Sequence, residues 1–358
     1  MSLASIAKAA GVSTATVSRV INDRPGVSKE KAAAIRALIK KMSLEPMQLR
    51  RQARSTRRWD SLAGKTVAWV QERGGYLRHP NLYVQQLHGI SLALAELDMN
   101  LQMILIEPGM PLPWALRHGE FSGVLLAASE CYDELAELLK DVPTVEITSH
   151  ALGDTDYILP GNEAIGVSVA RHFAEQGHKR VVFLNPVPSY QVWTCRGNAF
   201  VHAAKDAGMG AETLSCEGGA GDEVVMIDEI ELDQLVPLLR PLVDQYVAMS
   251  PRPTGMLLPV DIVTSMVYPM LRRRGVEPGR DVTVVSIGNE QSYLSGLDPR
   301  PASIDIGPEL LGRRAVEQLV WSMLRPGEGR TFQLSLEPLI IPSVSYESLE
   351  RGPLDRGG

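Results

Sequence analysis

Between Gly11 and Asn22 the chain sets short polar side chains and one arginine at helical spacing. Val17, Val20 and Ile21 recur at i, i+3 and i+4 and make one apolar stripe, so Thr14, Ala15, Ser18 and Arg19 share the opposite face. Short side chains let a helix approach base edges closely, and a guanidinium can bond guanine O6 and N7 together. The chemistry this face suits is direct reading of a DNA major groove. A solvated face on any small bundle would show the same pattern.

The elements that must position this face follow from caps and turns. Gly11 allows the backbone to reverse, and Ser13 can accept an orphan amide of the first helical turn. Before it, Leu3, Ile6, Ala7 and Ala10 form the inner face of a first helix. After a turn cluster at 22–26, Ser28 caps a third helix to about Met42, with Ile35, Leu38, Ile39 and Met42 inward. Two short helices joined by a tight turn, braced by a third, have helix-turn-helix geometry. Pro46 stops the third helix, and Arg50, Arg51, Arg54, Arg57 and Arg58 follow within 47–58. Like charges weaken so short a helix, so the segment is expected to order only against phosphates.

Charge distribution supports the same partner. The 358-residue chain has a net charge of −6, yet residues 1–58 hold 13 Lys and Arg against 3 Asp and Glu. The other 300 residues hold 23 against 39, so a basic module precedes an acidic body. No apolar run reaches the roughly 18 residues a membrane helix needs, and no basic start with an apolar block marks a secretory signal. Cys131, Cys195 and Cys216 are odd in number and unpaired by spacing, which fits thiols in a reducing cytoplasm. Phosphate-loop, GxSxG, HExxH and zinc-type Cys/His patterns are all missing. The chain is therefore expected to be a cytoplasmic non-enzyme with no catalytic residue, metal or cofactor.

Beyond Gly64 the pattern alternates. Strands are expected at 66–71, 101–106, 123–127 and 144–147, with helices at 82–97 and 132–140 between them. A second series puts strands at 180–185, 254–258 and 282–287 and helices at 163–176, 196–207 and 262–274. Continuous apolar strands alternating with helices imply parallel sheets covered on both faces. The fold class is thus an all-α helix-turn-helix headpiece plus an α/β body of two parallel-sheet lobes, whose strand ends face one interlobe cleft. A further amphipathic helix spans 231–249, with Pro237 and Pro241 as kinks or boundaries.

The run from Ala9-Ala10-Gly-Val-Ser-Thr-Ala-Thr-Val-Ser-Arg-Val-Ile to Asn22, with Val27-Ser28 and Pro46, resembles the headpiece of the lactose-repressor/galactose-repressor family of bacterial transcription regulators. Gln176-Gly-His-Lys-Arg-Val-Val-Phe183, Arg196-Gly-Asn-Ala-Phe200, Asp281-Val-Thr-Val-Val285 and Leu311-Gly-Arg-Arg-Ala315 are similar to later family blocks, in order. The resemblance implies a dimeric repressor that binds palindromic double-stranded operator DNA, with a body of the periplasmic-binding-protein type (type I) and a small-molecule effector. By position, Thr14, Ala15 and Arg19 would read bases, and Ser13, Thr16, Ser18 and Asn22 would hold phosphates. Arg50, Arg51 and Arg54 would contact DNA from the hinge, where Ala53 stands in the slot of the family's minor-groove Leu wedge. A methyl cannot unstack a base step as Leu does, so weaker bending is expected.

The same resemblance gives domains of 1–46 (headpiece), 47–61 (basic hinge), 62–345 (body) and 346–358 (tail without heptads). Lobe 1 would take about 62–159 and 290–323, and lobe 2 about 160–289 and 324–345. Arg196 keeps the position of the effector-binding arginine, which could alternatively be a structural ion pair. Tyr76, Trp114, Thr148, Tyr190, Trp193, Asp261 and Asn289 are further effector candidates. Gly161-Asn162, Val260-Asp261 and Gly288-Asn289 replace family pairs that grip sugar hydroxyls. The effector is therefore expected to be carbohydrate-related but no ordinary hexose. The alternative is an effector-independent DNA binder with a degenerate pocket.

Overall fold

The computed structural model describes residues 3–21, 24–41, 61–73, 80–107, 109–128, 133–147, 155–216, 232–325 and 331–345. Asn22, Arg50, Arg51, Ala53, Arg54, Tyr76, Thr148 and the 346–358 tail lie outside them. The chain divides into two compact units, one of residues 1–65 with 95–100 and one of 66–94 with 101–358.

The first unit contains α1 (Leu3–Ala10), α2 (Thr14–Ile21) and α3 (Lys29–Lys41). Gly11 turns the chain at φ +64°, in the left-handed region that glycine enters without steric penalty. The Ser13 hydroxyl accepts the Thr16 amide at 3.2 Å and so caps α2. Ser28 does the same for Lys31 at the start of α3, at 3.4 Å. Ile6, Ala7, Val17, Val20, Ile21 and Ile35 form the core, flanked by the half-buried Ala10, Val12, Val27, Ala32 and Leu38. Burying such side chains stabilises by about 1.5–3 kcal/mol for each large one.

The second unit holds two six-stranded sheets. In the first, β1 (Thr66–Glu72), β2 (Asn100–Ile106), β3 (Gly123–Ala127), β4 (Thr144–Ile147), β5 (Asp156–Pro160) and β11 (Gln333–Leu336) are ordered β11-β5-β4-β3-β1-β2. The pairings from β11 through to β1 are parallel. The helices of this lobe are α4 (Pro80–Ala95), α5 (Trp114–His118), α6 (Asp133–Leu139) and α12 (Pro308–Met323). Asp156 ties β5 to α12 through Gln318 (2.8 Å) and Ser322 (2.7 Å) and accepts the Phe332 amide just before β11 (2.8 Å).

The second sheet comprises β6 (Arg180–Asn185), β7 (Gly210–Ser215), β8 (Gly255–Leu257), β9 (Thr283–Ile287), β10 (Ala302–Asp305) and β12 (Leu339–Ile341), ordered β12-β10-β9-β8-β6-β7. It is parallel except for β12, which runs antiparallel to β10. Its helices are α7 (Asn162–Glu175), α8 (Gln191–Asp206), α9 (Leu232–Ala248), α10 (Asp261–Arg272) and α11 (Gln291–Leu294). Its core gathers Phe173, Phe183, Trp193, Phe200, Tyr246 and Tyr268.

The lobe boundaries differ from those the sequence led to. β10 pairs with β9, so 290–305 belongs to the second sheet, and β11 then returns to the edge of the first. The reason is in the residues: β10 is almost wholly buried, whereas β11 is a mostly exposed edge strand with little apolar signal. Pro237 and Pro241 do not break α9 either. Leu235, Leu239, Leu242, Val243 and Tyr246 bury one continuous face, which outweighs the lost amide bonds.

Candidate functional site

In α2 the stripe Val17, Val20 and Ile21 is buried, and Ser13, Thr14, Ala15 and Arg19 are exposed on the other side. Thr16 and Ser18 are half-buried, and the Thr16 hydroxyl lies 2.9 Å from that of Ser13. Arg19 stands in the last turn, its carbonyl accepting the Arg24 amide at 2.8 Å. Thus the cap, the two short side chains and the guanidinium form one solvent-facing strip.

The second group of residues lies at the carboxyl ends of β6, β8 and β9, the edge where open parallel sheets take ligands. The loop after β6 is shaped by Asn185, whose side-chain Oδ1 accepts the Val187 amide (3.2 Å) and whose Nδ2 donates to the Thr194 hydroxyl (3.1 Å). Thr194 in turn donates to the Pro188 carbonyl at 2.8 Å. Helix α8 therefore begins at Gln191, five residues before the start expected at 196, and Tyr190, Trp193 and Arg196 fall on a single helical end. Tyr190 packs edge-on to Trp193 with ring centroids 5.5 Å apart. Trp193 is buried in the lobe core and cannot serve as a stacking platform, whereas Tyr190 is half-exposed.

Arg196 is 6% exposed. Its Nε donates to Asn162 Oδ1 at 2.9 Å and its Nη1 to the Pro259 carbonyl at 3.2 Å. Both acceptors are neutral, and burial pulls the guanidinium down to about 10, with Tyr190 and Cys195 acting in the opposite sense. The arginine is held in place by α7 and α8, which meet almost backbone to backbone. A Cβ on Gly166 of α7 would come within 2.4 Å of the Arg196 carbonyl oxygen. Beside Asn162 opens a cavity of about 480 Å³, walled by Tyr157, Gly161, Glu163, Val192, Cys195 and Gln333 among others. That volume suits a small organic ligand. Apart from Gly161, sequence patterns single out none of these wall residues as effector contacts, because they come from β5, β11 and the first turns of α7 and α8, outside the stretches that carry a motif. Burial raises the Cys195 thiol, and Glu163 raises it further, so it is no activated nucleophile.

Asp261 and Asn289 do not line that cavity. Asp261 has no exposed surface, and its carboxylate accepts Ser286 Oγ, Ser303 Oγ (3.0 Å) and the Glu290 amide (2.6 Å). Burial, with the charge of Glu290 adding, pushes it up to about 7 against those three donors. It organises the turn after β9 instead of offering itself to a ligand. Asn289, at φ +54°, takes part in the same turn: its amide N–H donates to Ser303 Oγ (3.0 Å) and its side chain to Asp305 (3.3 Å). Trp114 is 69% exposed on α5 and stacks on His118 with centroids 4.9 Å apart. Among the described residues no group of His, Cys, Asp and Glu is arranged to hold a metal ion.

Residues 2–46 match the model of the bacterial regulatory proteins of the lacI family. The headpiece is thus of the lacI type. Residues 170–342 match a periplasmic binding protein-like domain, which agrees with the two sheets of the second unit. The NTD biosynthesis operon regulator NtdR of Bacillus subtilis (strain 168) is 24% identical over 327 residues, 89% of this chain and 91% of its own. A structure of the transcriptional regulator CelR with cellobiose superposes at a TM-score of 0.61, with 22% identity over 96% of this chain and 99% of that one. The lac repressor dimer bound to operator and the anti-inducer ONPF superposes at 0.57, with 16% identity over 96% and 98%. At these identities the structural likeness is one of fold.

Proposed function

We propose that this protein is a sequence-specific repressor of the lacI family. It binds a palindromic operator as a cytoplasmic homodimer and is controlled by a small molecule held between the lobes of its second unit. The observation that carries this reading is the division of α2: Val17, Val20 and Ile21 are buried, and Thr14, Ala15 and Arg19 stand exposed in a strongly basic module. Arg19 discriminates at guanine, Ala15 offers a methyl to thymine, and Ser13, Thr16, Ser18, Asn22, Arg50, Arg51 and Arg54 meet phosphates. One headpiece makes too few contacts for tight binding, which calls for two-fold symmetry. In the body, Arg196 and Tyr190 beside the cavity serve the effector. The likeness to proteins bound to cellobiose and ONPF supports a small polar ligand.

Selection of bound duplexes from a random pool, with and without metabolites, tests this. A two-fold-symmetric site whose retention changes with a metabolite is the expected result. Retention of all sequences alike at moderate salt would overturn it.

A further inference from the structure

Arg196 is a buried site residue with hydrogen-bond donors to spare. A guanidinium has five N–H donors, and here two are used, by Asn162 Oδ1 and the Pro259 carbonyl. Nη2 makes no hydrogen bond to any described residue, and no described carboxylate pairs with the group. Neither of the acids nearby pairs with it among the described residues. Asp261 is satisfied by Ser286, Ser303 and the Glu290 amide, and Glu163 lies in the cavity wall with Cys195. A cation almost wholly withdrawn from water with only neutral acceptors is costly, and a matching anion relieves that cost. Around it, α7, α8 and α10 all start at this edge of the lobe, and none has a side-chain N-cap. Their first-turn amides add partial positive charge to the same place.

We infer that the effector of this protein is an acid: a small polar molecule carrying an oxyanion, carboxylate or phosphate monoester, that docks on Arg196 at the mouth of α8. The inference rests on the effector-controlled reading above and narrows its ligand class. A planar guanidinium meets either oxyanion in bidentate fashion. A neutral sugar can fill the spare donors but leaves the charge unbalanced.

The test uses the full chain in thermal denaturation at constant ionic strength, balanced with chloride. The probes are D-glucuronate, D-glucose 6-phosphate, inorganic phosphate and D-glucose. At least one anion is expected to raise the melting temperature saturably, with D-glucose at least tenfold weaker. A response to glucuronate alone marks a carboxylate ligand; a response to the phosphates marks a phosphate ester. Arg196→Gln should abolish the effect, but its buried position can compromise folding, so Asn162→Asp is the second variant. It places a carboxylate against Nε and should weaken the anion at least tenfold. The inference is overturned if no anion stabilises beyond chloride, if D-glucose matches glucuronate, or if Asn162→Asp binds like the parent. Duplex binding by the same samples separates the two claims. Operator binding without an anion effect sinks this inference alone, and an anion effect without duplex binding sinks the repressor reading.

Discussion

The Asn81 amide of α4 donates a hydrogen bond of 2.6 Å to the Ser292 hydroxyl of α11, so the first lobe touches the second directly, 211 residues away in sequence. Both groups are exposed, and such a bond stabilises by about 0.5–1 kcal/mol. Asn81→Ala should therefore loosen the contact between the two lobes, weaken a cleft ligand by roughly 2- to 5-fold and enlarge the radius of gyration in solution scattering. Unchanged ligand affinity and unchanged scattering would show that the bond carries no closure energy. Linkage requires operator DNA and ligand to alter each other's affinity by one common factor, measurable on the same variant.

Arg19→Ala should reduce specific operator affinity by about 1–3 kcal/mol and relax discrimination at one base pair. Non-specific binding should fall far less. Fluorescence anisotropy with operator and scrambled duplexes at one salt concentration reads both. Equal losses on the two duplexes would place Arg19 on a phosphate.

Each of Arg50, Arg51 and Arg54 changed to Ala should lower the slope of log affinity against log salt by about 0.9 for every phosphate left without its arginine. In the same hinge, Ala53→Leu should increase the DNA bend seen by circular-permutation gel shifts. A parent that already bends DNA as strongly as Ala53→Leu would contradict the missing wedge.

Asp261 gives a pH dependence with a definite sign. Its folded-state value, about 7, lies above the ordinary carboxyl range, so the folded protein holds this proton more tightly than the unfolded chain. The associated stability is complete below about pH 4 and declines as pH rises towards 7. Asp261→Asn should remove that part of the slope in melting temperature between pH 4 and 8. Parallel curves for parent and variant would show that the carboxyl titrates normally.

Gly166→Ala should destabilise by about 1–3 kcal/mol through overpacking, because its methyl meets the Arg196 carbonyl and the Phe200 amide. Urea unfolding measures the loss. A neutral effect would mean that α7 and α8 can separate without penalty.

What sequence alone reveals follows the strength of local signals. The stripe on α2, the Ser13 and Ser28 caps and the apolar runs of β1, β6 and β9 each carry their pattern within a few residues, and the structure builds them there. Edge strands are different. β7 and β11 are half-buried or exposed, so their alternation is weak and their pairing is decided by distant partners. The same holds for the site. Arg196 is marked by its motif, but its bond to Asn162, the inward turn of Asp261 and the cavity beside the crossover depend on residues 25 to 176 positions apart. Helical spacing does not separate Tyr190, which remains accessible, from Trp193, which belongs to the core. That difference is set by neighbours from other elements.

The alternation of β10, β11 and β12 between sheets has an evolutionary corollary. Neither half of the body is a contiguous stretch of gene, so neither can be cut out, swapped or duplicated as a cassette. A late frameshift, removing little more than residues 330–345, would strip an edge from both sheets at once. Viable recombination should therefore exchange the three-helix headpiece ahead of residue 61, because Gly64 and Lys65 already bond to Asp98 and Asn100, and avoid breakpoints inside the body.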